Sequence, residues 1–274
     1  MDFKPMQRHR HYSALLNAVI AMLSLAVLPG MARAQATRIV DMPLAGGGHQ
    51  RALFAAPAHP RATIVMLPGG AGDIGIAADG ALRRGHNFVV RTRGLWNRRG
   101  YAVLIPDTID RQNLRGLRSS AAYGEVVADL AAFARMQQPG PVFLLGTSQG
   151  SIAAVNGAAH ASPGSVAGVV LTESVSVPGG SGETVFDAGP AQLRVPALVV
   201  ANRDDRCSVA PPQDARRIAA ALSASPDVRV MMVAGGLDGD HKDCGSLSPH
   251  GYDGIEPQVV GQIADWMDAH LAGR

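Results

Sequence analysis

Short, almost wholly apolar runs alternate with amphipathic stretches along most of the chain. Each run has the length of a strand and is apolar at successive positions, which is typical of strands in a parallel sheet that helices cover on both faces. The six runs are 62–67, 101–105, 141–145, 166–171, 195–200 and 228–233.

The stretches between these runs have the spacing of helices. In 119–138, for example, Val126, Leu130 and Phe133 fall on one helical face. Residues 37–56 predict a leading antiparallel pair of strands that turns at Gly46, Gly47 and Gly48. The alternation predicts an α/β fold with a mostly parallel central sheet and helices on both faces. Further helices are predicted at 151–155, 211–222 and 257–271.

The first 34 residues have the layout of a secretory signal peptide. Lys4, Arg8 and Arg10 precede an apolar run at 14–28, and small residues follow at 32–34. A retained membrane anchor is the alternative, but this run is shorter than the roughly 20 residues that span a bilayer. We therefore expect residues 35–274 to form a single domain that is periplasmic or secreted, with no membrane span after cleavage.

Charge and composition argue against some kinds of binding partner and metal site. The chain has a formal net charge of +3. The first 34 residues carry four basic and one acidic side chain, which leaves about zero for the remainder. Only 4% of the residues are aromatic, and there are two cysteines. These values argue against a nucleic-acid partner and against a multi-cysteine metal site. No metal and no organic cofactor is predicted.

The strongest candidate for chemistry is the segment from Gly146 to Gly150, which reads Gly-Thr-Ser-Gln-Gly. It follows the apolar run at 141–145 and precedes the predicted helix at 151–155. A sharp strand-to-helix turn of this kind exposes the serine and needs small flanking residues. Ser148 is therefore a candidate nucleophile, although an ordinary glycine-rich turn would have the same composition.

On these residues the chain resembles the α/β-hydrolases over essentially all of residues 35–274. The resemblance implies that an acid loop and then a histidine loop follow the nucleophile. It also implies that the backbone N–H groups of Gln149 and of Gly70 bind an oxyanion, with Ala71 as the alternative to Gly70. Only about 23 residues separate 171 from 195, which predicts little or no cap domain.

The acid loop follows the run at 195–200. The family usually has Gly-x-x-Asp there, and Asn202 stands in the place of that glycine. Asp205 is then the matching acid, with Asp204 as the alternative. The corresponding histidine is His250, just ahead of the last predicted helix, with His241 as the alternative.

The two loops expected to meet at the site each contain a cysteine. Cys207 lies two residues after Asp205, and Cys244 lies six residues before His250. We predict a disulfide between Cys207 and Cys244, with two unpaired buried thiols as the alternative.

Together these features predict a serine hydrolase that cleaves a small-molecule or polymeric carboxylic ester through a Ser148, His250 and Asp205 triad and an acyl-enzyme. The same triad supports hydrolysis of amides or thioesters and acyl transfer, and a non-catalytic binding protein can retain the fold.

A run of arginines between residues 83 and 118 has two interpretations. The first is a preference for a substrate that bears a carboxylate. The second is a solvated surface with ion pairs to acids such as Asp107, Asp110 and Glu125. The arginines are Arg83, Arg84, Arg91, Arg93, Arg98, Arg99, Arg111, Arg115 and Arg118.

Overall fold

Eight strands form one mixed sheet in the computed structural model, which describes Met1 and residues 36–44, 47–77 and 79–272. The predicted signal peptide lies outside the described residues, apart from Met1. The strands are β1 (Ala36–Pro43), β2 (His49–Ala56), β3 (Ala62–Leu67), β4 (Tyr101–Pro106), β5 (Val142–Thr147), β6 (Gly168–Thr172), β7 (Ala197–Asn202) and β8 (Val228–Val233).

The order across the sheet is β1-β2-β4-β3-β5-β6-β7-β8. β2 pairs antiparallel with β1 and with β4, and every other neighbouring pair is parallel. This confirms the predicted mostly parallel sheet, and all six apolar runs contribute a strand. The leading antiparallel pair is also present, although Gly46 of its predicted turn lies outside the described residues.

Helices cover both faces of the sheet. They are α1 (Phe88–Arg91), α2 (Arg93–Arg98), α3 (Ala121–Gln137), α4 (Gly150–His160), α5 (Ala215–Ala221) and α6 (Glu256–Ala272). α3, α4 and α5 pack on one face through side chains such as Leu130, Ile152 and Ile218. α1, α2 and α6 pack on the other, where Trp96 and Ile263 are fully buried.

Two regions differ from what the sequence predicts. The apolar run of β8 predicts a strand covered on both faces, but β8 lies at the edge of the sheet and only Val233 is buried. Residues 71–100 show no pattern of regular structure, yet they contain α1 and α2. Their apolar residues are interleaved with arginines, which hides a helical period in the sequence.

The segment after β6 carries no cap of α-helices. Residues 173–196 contain two short 3₁₀ turns, Val185–Ala188 and Pro190–Gln192. The carboxyl ends of the parallel strands are therefore covered by loops. In the described part of the chain, no helix combines the length and the apolar character needed to cross a bilayer.

Candidate active site

Ser148 occupies a tight turn between β5 and α4. Its backbone has a φ of 53°, in the left-handed region that residues other than glycine rarely adopt. The Ser148 N–H donates to the carbonyl oxygen of Thr172 at 2.8 Å, and the Ser151 hydroxyl donates to the Ser148 carbonyl oxygen at 2.6 Å. These bonds on both sides of Ser148 hold it in a strained conformation.

The glycines around this turn have no room for a side chain. A Cβ on Gly146 would overlap the backbone of Gly150, and a Cβ on Gly150 would overlap the carbonyl oxygen of Leu67 at the end of β3. A Cβ on Gly69 would lie 3.0 Å from that of Ser148. Close backbone contact between the Ser148 turn and the segment after β3 therefore explains why these positions are glycine.

Gly70 follows this contact and has a φ of 58°. The backbone N–H groups of Gly70 and Gln149 donate no hydrogen bond to any acceptor among the described residues. Both residues are close in the chain to the contact between Ser148 and Gly69. Two backbone donors next to the candidate nucleophile are thus available to a ligand.

His250 and Asp205 form a buried pair. His250 Nδ1–H donates to Asp205 Oδ2 at 2.7 Å, and the Asp205 side chain has no exposed surface. The other carboxylate oxygen of Asp205 accepts from the Cys207 N–H at 2.8 Å. These two bonds fix the orientation of the imidazole.

The remaining ring nitrogen of His250, Nε2, is buried and has no hydrogen-bond partner among the described residues. A buried polar atom without a partner costs free energy, which a hydrogen bond to a bound group would recover. His250 and Ser148 line the same cleft, which has a volume of about 1050 Å³. The unpaired nitrogen is therefore available for chemistry in this cleft.

The two alternative residues are placed differently. Asp204 is exposed, and its carboxylate accepts from the Gly235 N–H at 2.6 Å. His241 is exposed and is absent from the described residues that line the cleft. The cleft walls come from 68–74, 82–88, 111–115 and 240–251, and residues 173–194 contribute no lining residue in the described structure.

The loops that carry Asp205 and His250 are cross-linked twice. Cys207 and Cys244 form a disulfide, with Cα atoms 4.6 Å apart. The Asn202 side-chain amide donates to the carbonyl oxygens of Gly235 at 2.8 Å and of Pro249 at 3.0 Å. Asn202 thus joins the end of β7 to the residue before His250.

Glu173 is a site residue that sequence analysis missed. It follows β6 with a φ of 44°, is 1% exposed, and accepts from the Asn202 N–H at 2.7 Å. Burial raises the pKa of its carboxyl well above the ordinary value of 4.5, and the Asp205 carboxylate raises the pKa further. The one sequence signal of Glu173 is its position directly after a strand that neighbours β5 and β7.

Ligand atoms of Glu173, Asp205 and His250 all lie within 4.8 Å of one another. By distance these three side chains can hold a metal ion. The hydrogen bonds from His250 to Asp205 and from the Asn202 N–H to Glu173 also account for the cluster.

Arg118 is a second missed residue. In the sequence it belongs to the run of arginines between residues 83 and 118, for which a solvated surface is one interpretation. In the structure it is 1% exposed. Its guanidinium donates to the Gln149 side-chain oxygen at 3.1 Å and to the Pro68 carbonyl oxygen at 3.3 Å. Burial lowers the pKa of this guanidinium. Arg118 thus connects the residue after Ser148 to the turn that contains Gly69 and Gly70.

Comparisons with known proteins agree with this architecture. No protein-family model matches the sequence, and no curated protein sequence matches it. Among solved structures, the chain is similar to an esterase of Pyrococcus furiosus, with a TM-score of 0.63 and 10% identity over 86% of this chain and 92% of that one. It is also similar to a dienelactone hydrolase of Anabaena variabilis, with a TM-score of 0.61 and 15% identity over 86% and 98%. The chain has the α/β-hydrolase fold.

A thermostable carboxyl esterase of Bacillus coagulans is similar as well, with a TM-score of 0.60 and 12% identity over 86% of this chain and 99% of that one. At these identities the likeness establishes the α/β-hydrolase fold, and the fold alone does not assign a reaction.

Proposed function

We propose that this α/β-hydrolase is a serine hydrolase that cleaves a carboxylic ester, with Ser148 as nucleophile, His250 as general base and acid, and Asp205 as the group that orients His250. One observation carries the proposal. The His250 imidazole is bonded to the buried Asp205 carboxylate through Nδ1, while its buried Nε2 has no partner among the described residues and His250 lines the same cleft as Ser148.

In the proposed first step the Ser148 hydroxyl oxygen attacks the acyl carbon, and its proton passes to His250 Nε2. The carbonyl π electrons move to oxygen, where the N–H groups of Gln149 and Gly70 stabilise the negative charge. The intermediate then collapses, the bond to the alcohol oxygen breaks, and the proton on Nε2 is transferred to the leaving alkoxide.

The second step repeats this sequence with water. His250 accepts a proton from the water as its oxygen attacks the acyl-enzyme, and returns that proton to Ser148 as the acid departs. Asp205 stabilises the imidazolium in both steps and keeps its own charge.

Two further observations support the choice of an ester and of an extracytoplasmic location. The similar solved structures are named as esterases and as a dienelactone hydrolase. The disulfide between Cys207 and Cys244 is of a kind that persists in oxidising compartments. We therefore propose a periplasmic or secreted esterase, as the predicted signal peptide implies.

Turnover of a 4-nitrophenyl ester by matched variants tests the proposal. We expect Ser148→Ala, His250→Ala and Asp205→Ala to lower kcat at least about a thousandfold, since a triad acts as one unit. Asp204→Ala and His241→Ala are the controls and should keep most of the turnover. A fluorophosphonate should label Ser148 in the wild-type protein.

The opposite pattern contradicts the proposal. If His241→Ala abolishes turnover and His250→Ala does not, the assigned base is wrong. If Ser148 is not labelled and no ester is cleaved, the protein is not a serine hydrolase, and a binding role for the cleft is favoured.

A further inference from the structure

The arginines between residues 83 and 118 do not form the ion pairs that their sequence neighbourhood suggested. The Asp107 carboxylate instead accepts from the backbone N–H groups of residues 74–76 and of Thr108. Within the described ranges, Asp107, Asp110 and Glu125 form no ion pair with an arginine. These three acids do not neutralise the arginines, although other acids form ion pairs with some of them, as the interpretation of a solvated surface expects.

Some of the arginines have other acidic partners. Arg84 lies 3.4 Å from Asp73, and Arg91 lies 2.7 Å from Glu256. Arg111 and Arg115, by contrast, are exposed and have no carboxylate within 4.0 Å among the described residues. Both line the cleft that contains Ser148. The unpaired cations of this segment thus include two that face the candidate active site.

The whole cleft is positively charged. Five of its lining side chains are cationic and two are carboxylates, a net charge of +3 with the histidines neutral. The chain beyond residue 34 has a net charge of about zero. The excess positive charge is therefore concentrated where a substrate would bind, and it attracts anions. The cations are Arg83, Arg84, Arg111, Arg115 and Lys242, and the carboxylates are Asp73 and Asp240.

Arg115 lies next to the proposed oxyanion site. Its guanidinium Nη2 lies 3.7 Å from the point that a Cβ on Gly70 would occupy. Gly70 is the residue whose N–H is proposed to stabilise the oxyanion. A planar guanidinium binds a carboxylate through two parallel hydrogen bonds, which gives direction as well as attraction.

We infer that the ester cleaved in this cleft carries a carboxylate group, which Arg115 binds while the ester carbonyl lies at Ser148. This inference rests on the proposed function and extends it to a class of substrate. The carboxylate can belong to the acyl part or to the alcohol part of the ester, and the test separates the two.

Two matched pairs of substrates provide the test. The 4-nitrophenyl monoester of adipic acid is compared with 4-nitrophenyl hexanoate for the acyl side. 4-Acetoxybenzoate is compared with its methyl ester for the alcohol side. The quantity measured is the ratio of kcat/KM for the anionic ester to that for the neutral ester, so that changes in general activity cancel.

We expect Arg115→Gln to lower this ratio at least about tenfold for one of the two pairs, since a charge-assisted bidentate pair is worth more than about 1.4 kcal/mol. Arg115→Lys keeps the positive charge but cannot form two parallel hydrogen bonds. Its ratio should therefore lie between those of the wild type and of Arg115→Gln. Arg98→Gln is the control, because Arg98 is exposed in α2 and is absent from the cleft lining. It removes the same charge and should leave the ratio unchanged.

Salt provides an independent readout. Raising the ionic strength from about 0.01 to about 1 M shortens the Debye length from about 30 to about 3 Å. We expect this to lower kcat/KM for the preferred anionic ester and not for its neutral partner.

Four outcomes overturn the inference. An equal ratio in the wild type and in Arg115→Gln for both pairs removes the role of Arg115. If Arg98→Gln lowers the ratio as much as Arg115→Gln does, the effect comes from the overall charge of the protein. Rapid turnover of neutral esters with no preference for either anionic ester rejects the substrate class while the proposed function stands. Absence of all turnover, with Ser148 unlabelled, rejects both.

Discussion

The turn at Gly146–Gly150 and the loops that carry Asp205 and His250 border the same cleft but are fixed by different means. The turn is held by backbone contacts that leave no space for a Cβ. The loops are held by side chains, namely the disulfide between Cys207 and Cys244 and the amide of Asn202. The first kind of constraint is local and requires glycine at positions within a short segment of the sequence. The second joins residues far apart in the chain, so each link can be removed separately.

Gly150→Ala should have the largest effect on ester turnover. Its Cβ would displace the backbone at the end of β3 and the turn with Gly69 and Gly70. No rotamer change relieves a clash with backbone. We expect 4-nitrophenyl ester turnover to fall more than about a hundredfold, since small displacements of reacting groups have effects of this size. Thermal unfolding should show a loss of at least about 2 kcal/mol.

Gly180→Ala is the control for that variant. A Cβ on Gly180 would meet no atom within 4 Å, and the φ of this residue is not positive. This variant should retain wild-type stability and turnover. A fully active Gly150→Ala would show that the turn is more adaptable than the backbone contacts indicate.

Removal of the disulfide should have an intermediate effect on ester turnover. The two cysteines are 37 residues apart, and loop-closure entropy for that separation predicts that the double variant Cys207→Ser, Cys244→Ser loses about 4 kcal/mol of unfolding free energy. Asn202 still bridges the two loops, so folded variant protein should keep measurable turnover. Urea unfolding with and without a reductant measures the loss.

Reduction should lower the stability of the wild-type protein towards that of the double variant and leave the variant itself unchanged. If the variant and the wild-type protein unfold at the same urea concentration, the disulfide does not stabilise this side of the cleft.

Glu173→Gln should have the smallest effect on ester turnover, because glutamine has the size and shape of the glutamate side chain. Between pH 4.5 and the raised pKa of Glu173, the folded protein holds a proton that the unfolded chain has released. The unfolding free energy of the wild-type protein therefore falls with rising pH in this window, by up to about 1.4 kcal/mol per pH unit from this group. The variant lacks this contribution.

Thermal unfolding of both proteins across this pH range measures the difference. The wild-type protein should lose stability relative to Glu173→Gln as the pH rises. A constant difference would show that Glu173 is ionised in the folded protein, and that Asp205 has a charged neighbour.

Different parts of the molecule were predictable to different degrees. β3 to β7 were predictable from the sequence, because a strand buried on both faces must be apolar at every position. α1 and α2 were not, since arginines that contact solvent interrupt their apolar residues. The burial of Arg118 and the side-chain bridge of Asn202 also escaped prediction, because both depend on partners from other elements.

The amino-acid sequence by itself determined the alternation of strands and helices and the glycine-flanked turn at Ser148, since these depend on neighbours within a few residues. Only the tertiary structure decided that Asp205 lies against His250, that Glu173 lies beside them, and that the cleft gathers five cationic side chains. Such contacts join residues from separate loops. They arise only when parallel strands bring their carboxyl ends to one edge of the sheet.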